Sequence, residues 1–317
     1  MEWSYFLKDR DRHGTAGETG TTVDPMNMAN TIILTVDVED WFQVENLRQA
    51  YPLKRWDSCA QKVQMNTRIL LELFDHYDVQ ATFFVLGWTG ERHPDLVREI
   101  HSRGHEIASH GYAHSLCPFL SETELKEDFH RSKALLEDIT GAPVKGYRAP
   151  AFSISDRVMD LLQEEGYRYD SSWNRAAVSS RYGQLQLIHK DPDNGHYVSN
   201  SGLMELPISN LQFKSLTIPW GGGGYFRFWP SSLFMWGVNR IIKNHGFYLF
   251  YFHPWELDSV QPHVRQISPL SRFRHYRNLE LTFHRMNLFL SSFQGLRFTG
   301  CNEYLQGPSC PTSDVRA

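Results

Sequence analysis

The sequence predicts an α/β fold, a single-domain distorted (β/α) barrel. Three observations predict it. Short β-branched runs alternate with amphipathic stretches from Thr31 onward, glycines punctuate the ends of those stretches, and polar residues gather just after the strand-like runs. Thr31 to Val36 reads as the first strand. Ile69, Leu70, Leu73, Phe74 and Tyr77 then recur at helical spacing, and the apolar run Gln80 to Leu86 completes a βαβ unit. A second helix opens at Pro94, turns Leu96, Val97 and Ile100 inward, and stops at Gly104, before a strand at Glu106 to Ser109.

Ser121 and Glu124 form a capping box that opens a helix with Leu125, Phe129, Ser132, Leu136 and Ile139 on one face, closed by Gly141 and Pro143. Strand Val144 to Tyr147 follows, then a helix from Ser155 carrying Val158, Leu161 and Leu162, ended by Gly166, and a short strand at Tyr167 to Tyr169. Between Trp173 and Pro230 the pattern blurs into loops and short strands, including Gly202 to Pro207 and the run Gly221 to Gly224. Helix Ser231 to Asn244, strand Phe247 to Phe252 and a last helix from Arg272 to Phe293 restore it. The expected organisation is a disordered extension over residues 1–30, one domain over 31–298 and a tail over 299–317, with Met26 and Met28 as alternative starts.

Lys plus Arg number 32 against 36 Asp plus Glu, a formal charge of −4, so no basic excess points to nucleic acid or an anionic membrane. Cys59, Cys117, Cys301 and Cys310 show neither CxxC nor a disulfide framework and suit a reducing compartment. The first thirty residues lack the apolar core of a secretory signal, and no apolar run is long enough to cross a bilayer. A soluble protein at the cytoplasmic side, working at the inner face of the membrane, is the expectation.

In a parallel barrel, functional side chains collect at the strand C-termini. Asp37, Glu39 and Asp40 follow the first strand; His110 and His114 follow Glu106 to Ser109; Arg148, Asp170 and His253 follow three more strands. An HxxxH pair among 15 histidines carries little by itself, and acids beyond a strand are ordinarily a solvated cap. Arg148 could simply tie loops, and His253 could be a core histidine. Taken together they change the reading. Two imidazoles plus a carboxylate are the donors of a catalytic metal site with positions left for water and substrate.

Five ordered motifs carry a resemblance. Thr35-Val36-Asp37-Val38-Glu39-Asp40, Ser109-His110-Gly111-Tyr112-Ala113-His114, Arg148-Ala149-Pro150, Asp170-Ser171-Ser172-Trp173 and Phe250-Tyr251-Phe252-His253 are similar to those of the polysaccharide deacetylases of NodB-homology type, carbohydrate esterase family four. The runs Asp-Val-Glu-Asp, Gly-Gly-Gly-Gly-Tyr-Phe-Arg and Phe-His-Pro-Trp-Glu resemble its exopolysaccharide-locus and exosortase branch. The resemblance covers Thr31 to Trp255. It implies a metal-dependent hydrolase that removes N-acetyl groups from an amino-sugar polysaccharide or its precursor, with a divalent ion, zinc foremost and cobalt or nickel as alternatives.

By this resemblance Asp37 is the general base, Arg148 orients it, His253 is the general acid and Asp170 supports that acid. His110, His114 and Asp40, or Glu39 in its place, hold the metal. Pro150, Trp173, Tyr225 and Trp255 are the expected substrate contacts; as aromatics, Trp41, Trp173, Trp220, Tyr225 and Trp255 could stack on sugar rings, with core packing the default role for any one of them. Two departures stand out: Val38 and Glu39 separate acids that the family has adjacent, and Gly111 stands where Ser or Thr is common. The competing expectations are hydrolysis of a small cyclic amide, as in allantoinase-like relatives of this fold, and a carbohydrate-binding protein that has lost catalysis.

Overall fold

The computed structural model describes residues 30–176, 183–186, 188–190, 195–214 and 216–307. Most of the expected N-terminal extension, with Met26 and Met28, and the last ten residues, with Cys310, lie outside the described residues. In chain order the elements are β1 (Thr31–Val38), α1 (Val63–Tyr77), β2 (Thr82–Val85), α2 (Gly87–Arg92), α3 (Pro94–Ser102), β3 (Glu106–Ser109), α4 (Glu122–Thr140), β4 (Gly146–Tyr147), α5 (Asp156–Glu164) and β5 (Tyr169–Asp170). Then come β6 (Ile188–Lys190), β7 (Tyr197–Ser199), β8 (Met204–Glu205), β9 (Asn210–Phe213), β10 (Leu216–Pro219), α6 (Gly223–Phe228), α7 (Ser231–His245), β11 (Phe247–Phe252), α8 (Pro269–Tyr276), α9 (Thr282–Ser292), β12 (Arg297–Thr299) and α10 (Cys301–Gln306).

Ten strands form one sheet in the order β11-β1-β2-β3-β4-β5-β8-β7-β6, with β12 also on β1. From β11 to β8 every pairing is parallel; only β6 and β7 run antiparallel to their neighbours. β1 is central and buried along its whole length, which is why it reads as a near-continuous Ile, Leu and Val run rather than an alternating one. The gap between the β8 side and β11 is bridged by irregular chain. Tyr251 N donates to Gly221 O at 2.7 Å, and Leu249 N donates to Ser209 Oγ at 2.8 Å. A Cβ at Gly221 would lie 2.9 Å from both Leu249 O and Ser209 O, so this seam requires glycine. The result is an α/β fold of the distorted (β/α) barrel type.

The caps expected at α4 are present: Ser121 and Glu124 satisfy each other's amides, and Gly141 adopts φ 68°. Two expectations need correction. The last long helix does not run from Arg272 to Phe293: it breaks at Asn278, φ 53°, between α8 and α9. The cause is Arg227, whose buried guanidinium donates to the carbonyls of Arg274, His275 and Arg277 and takes the acceptors that a continuing helix would use. The residues after Phe298 do not begin a tail either. Thr299 ends β12 against β1, and Cys301, fully buried, opens α10 with its amide on Thr82 Oγ1.

Candidate active site

β1 delivers Asp37 to the rim, and residues two apart on a strand share a face, so Glu39 stands on the same side as Asp37. Asp37 Oδ1 lies 2.6 Å from Arg148 Nη1. Arg148 follows β4 directly and is fully buried. It also donates to Thr35 Oγ1 at 2.9 Å, Ser171 O at 2.8 Å and Ser171 Oγ at 2.9 Å, with its guanidinium 4.1 Å over the Phe84 ring. Such a bed of acceptors makes a buried cation tolerable and leaves Asp37 one geometry.

Glu39, His110 and His114 converge, all buried. Glu39 Oε1 is 3.0 Å from His110 Nε2 and 3.1 Å from His114 Nε2. Burial pushes the Glu39 carboxyl up, but the two imidazoles outweigh it and hold it well below the usual carboxylate range. His110 Nδ1 is 2.7 Å from Arg148 O, a group that can only accept, so Nδ1 donates there and Nε2 is the nitrogen turned toward Glu39. Two nitrogens and an oxygen facing one another in this way suit a borderline divalent cation. The loop between the histidines is pinned by Asp128, which accepts from Tyr112 N. Gly111 is explained there: its φ is +71°, and a Cβ would come 2.8 Å from Asp128 Oδ2.

Asp40, expected as the metal carboxylate, is not in this group. Its Oδ1 accepts from Trp41 N, and its Oδ2 from Lys62 N and from Val63 N, at 2.9 Å. With Gln43 it forms a capping box, and every lone pair that could serve a metal is turned to backbone. Glu39, the alternative carboxylate, is the acid that stands within reach of both histidines.

His253 follows β11, with Nε2 3.8 Å from Asp37 Oδ2 and Nδ1 2.9 Å from Glu256 Oε1. Glu256 Oε2 is in turn 2.6 Å from Arg227 Nε. Asp170, expected to support His253, is elsewhere: it binds Ser172 and pairs in register with Glu205 on β8, and burial raises both of those carboxyls. The support comes from Glu256, which the sequence reading missed. A Cβ at Gly223 would fall 2.0 Å from Glu256 Oε1, so that glycine makes room for it. Burial pulls the His253 pKa down, but Glu256, Glu39 and Asp37 outweigh it and raise it to about 9.

These groups line one cavity of about 420 Å³ whose other wall includes Tyr225, Trp255 and residues of α8. Of the expected substrate contacts, Tyr225 and Trp255 face it. Pro150 is buried beside it, with Ala149 and Ala151 in the wall; Trp173 packs edge-on against Tyr197 instead. Trp41 and Trp220 are core residues, their indole N–H groups given to Ala60 O and Phe234 O.

The polysaccharide deacetylase family matches residues 54–169, and a domain of unknown function, DUF3473, matches 171–306. The chain is 26% identical over 168 residues to a peptidoglycan-N-acetylglucosamine deacetylase of Bacillus cereus, covering 47% of this chain and 61% of that enzyme. Across four curated relatives the chain spans from 31% to 64% of their length. A Mycobacterium smegmatis protein described as a polysaccharide deacetylase superposes with a TM-score of 0.57 at 20% identity, over 96% of this chain and 99% of that one. Puue allantoinase superposes with a TM-score of 0.54 at 16% identity, over 90% and 93%. Both likenesses speak for the fold. With the family match, the related deacetylase and the shared fold, the chain carries a polysaccharide deacetylase domain of the NodB-homology type, carbohydrate esterase family four.

Proposed function

We propose that this chain hydrolyses N-acetyl groups of an amino-sugar polysaccharide or its precursor, in exopolysaccharide synthesis, and that it does so with a divalent metal, zinc first. One observation carries this reading: Asp37, locked by Arg148, and His253, locked by Glu256, face each other at 3.8 Å beside the Glu39, His110 and His114 cluster in the wall of one cavity. Glu39, His110 and His114 would hold the ion, which supplies Lewis acidity toward the acetyl group.

Asp37 Oδ2, the oxygen not taken by Arg148, accepts the proton of a water as that water adds to the acetyl carbonyl. His253 Nε2 then gives its proton to the sugar nitrogen as the C–N bond breaks, leaving acetate and a free amine. Arg148 keeps Asp37 ionised and aimed, and Glu256 keeps the Nδ1 proton of His253 in place so that Nε2 is the end that exchanges.

The test is acetate release from N-acetylated oligosaccharides by the metal-stripped chain and by the chain restored with zinc, cobalt or nickel, alongside His110→Ala. Release that returns with metal and is absent in the variant supports the reading. No release, with ring opening of a cyclic amide instead, overturns it. The domain proposed to do this runs through both matched segments, because β5 and β8 pair across their boundary and β11 pairs with β1. Among the described residues, no helix is long and apolar enough to cross a membrane.

A further inference from the structure

Each acidic group in the cavity wall already has a cationic or imidazole partner. Asp37 has Arg148, Glu39 has the two histidines, Glu256 has Arg227 and His253, and Glu45 has Arg48 at 3.4 Å. Two guanidiniums in the same wall do not: Arg274 and Arg277 have no carboxylate partner among the described residues. Arg277 is nonetheless held, 5.7 Å over the Phe228 ring and 5.0 Å over the Phe273 ring.

Arginines in the last turn of a helix ordinarily serve its free carbonyls. Here that role is filled, since Arg227 donates to the carbonyls of Arg274, His275 and Arg277. The two exposed side chains are therefore surplus to the helix end. Trp255, buried and stacked against His253 and His275, completes this wall.

We propose that this wall, formed by α6, α8 and Trp255, is a subsite for an anionic group on the sugar chain, a uronic acid carboxylate or a phosphate, beside the sugar that is deacetylated. The inference rests on the deacetylase reading for the site beside it, and it names the class of polymer. Planar guanidiniums suit carboxylate and phosphate oxygens, and the flanking Phe228, Phe273 and Tyr225 offer ring faces to the sugar. Both positioning elements, α6 with its Arg227 and α8, lie outside the segment matched by the deacetylase family, so the subsite belongs to this chain's C-terminal part.

The metal-loaded full chain is given three probes: a hexasaccharide of alternating glucuronic acid and N-acetylglucosamine, the same oligosaccharide with its carboxyls reduced to alcohols, and a phosphate-bearing N-acetylglucosamine oligomer beside its unphosphorylated form. Binding and acetate release are both measured. Binding about tenfold tighter for an anionic probe than for its neutral counterpart is expected, a charge-assisted hydrogen bond's worth. That ratio should fall toward one in Arg274→Gln/Arg277→Gln and invert in Arg274→Glu. The carboxylate and phosphate arms tell which anion is meant. Equal binding of charged and neutral probes, or a ratio untouched by the substitutions, overturns the subsite. Selective binding without acetate release from any probe would keep the subsite and count against the deacetylase reading.

Discussion

His253 presents Nδ1 to Glu256 Oε1 at 2.9 Å, three residues on in the chain, while its Nε2 faces Asp37 Oδ2 at 3.8 Å. A general acid must hold a proton at the working pH, and the negative charge of Glu256 is what keeps one on His253 against the effect of burial. Glu256→Gln should lower kcat by about 100-fold, the lower end of a general acid's contribution. Activity is lost as pH rises through the pKa of the acid, so the alkaline limb of the pH–rate profile should move to lower pH. An unmoved limb would assign the proton to another group.

Arg148 is a buried cation with four hydrogen bonds, one of them to Asp37, the proposed base. Arg148→Met leaves Asp37 buried without its counter-charge and should cost about 3–5 kcal/mol in chemical denaturation. Loss of activity with unchanged stability would show that the pair serves only catalysis.

Asp40 and Glu39 are neighbours with different work. Asp40→Ala removes the acceptor of three backbone amides and should destabilise the fold by about 2 kcal/mol, the upper end for a cap, while bound zinc stays at its wild-type stoichiometry. Glu39→Gln should keep the fold and weaken zinc binding. Titration of zinc into both variants separates the roles, and the reverse pattern would restore Asp40 as the ligand.

His275 is buried, stacked 4.5 Å from Trp255 and bonded through Nε2 to Gln261 Oε1 at 2.7 Å. Burial, joined by the charge of Arg227, lowers its pKa to about 3. In the unfolded chain it returns to about 6.5. The unfolded state therefore binds the extra proton between those values, and stability is full above pH 6.5 and lost as pH falls. Between pH 7 and 5 this one group should cost about 2 kcal/mol. The drop should shrink by that amount in His275→Phe, which keeps a ring on Trp255; an equal drop in both proteins would place the acid sensitivity elsewhere.

The parallel architecture was legible because β1, β3 and β11 are short apolar runs ending in polar residues, and because Ser121, Gly141 and Gly246 mark helix ends by local chemistry. That Asp37 and the histidine pair would meet at one rim was legible for the same reason. That Glu39 rather than Asp40 would face the histidines could also have been read from sequence. Glu39 shares the face of Asp37 by strand alternation, and Asp40 with Gln43 spells a capping box. Glu256 carried a weaker signal, Pro254 then an acid at the third helical position, the pattern that folds a carboxylate back on His253. Arg227 closes the run Gly-Gly-Gly-Gly-Tyr-Phe-Arg, yet nothing in that run says what its side chain does. Its contacts span 29 residues to Glu256 and 47 to Arg274, and no local pattern encodes a guanidinium that ends a helix from a distance.

The most direct test is to measure bound zinc and acetate release together in Asp37→Asn. With Glu39, His110 and His114 untouched, the variant should hold one zinc per chain and release acetate at least about a thousandfold more slowly than the wild type, within the range a general base supplies. Full zinc with wild-type acetate release would remove Asp37 as the base and contradict the arrangement of the site proposed here.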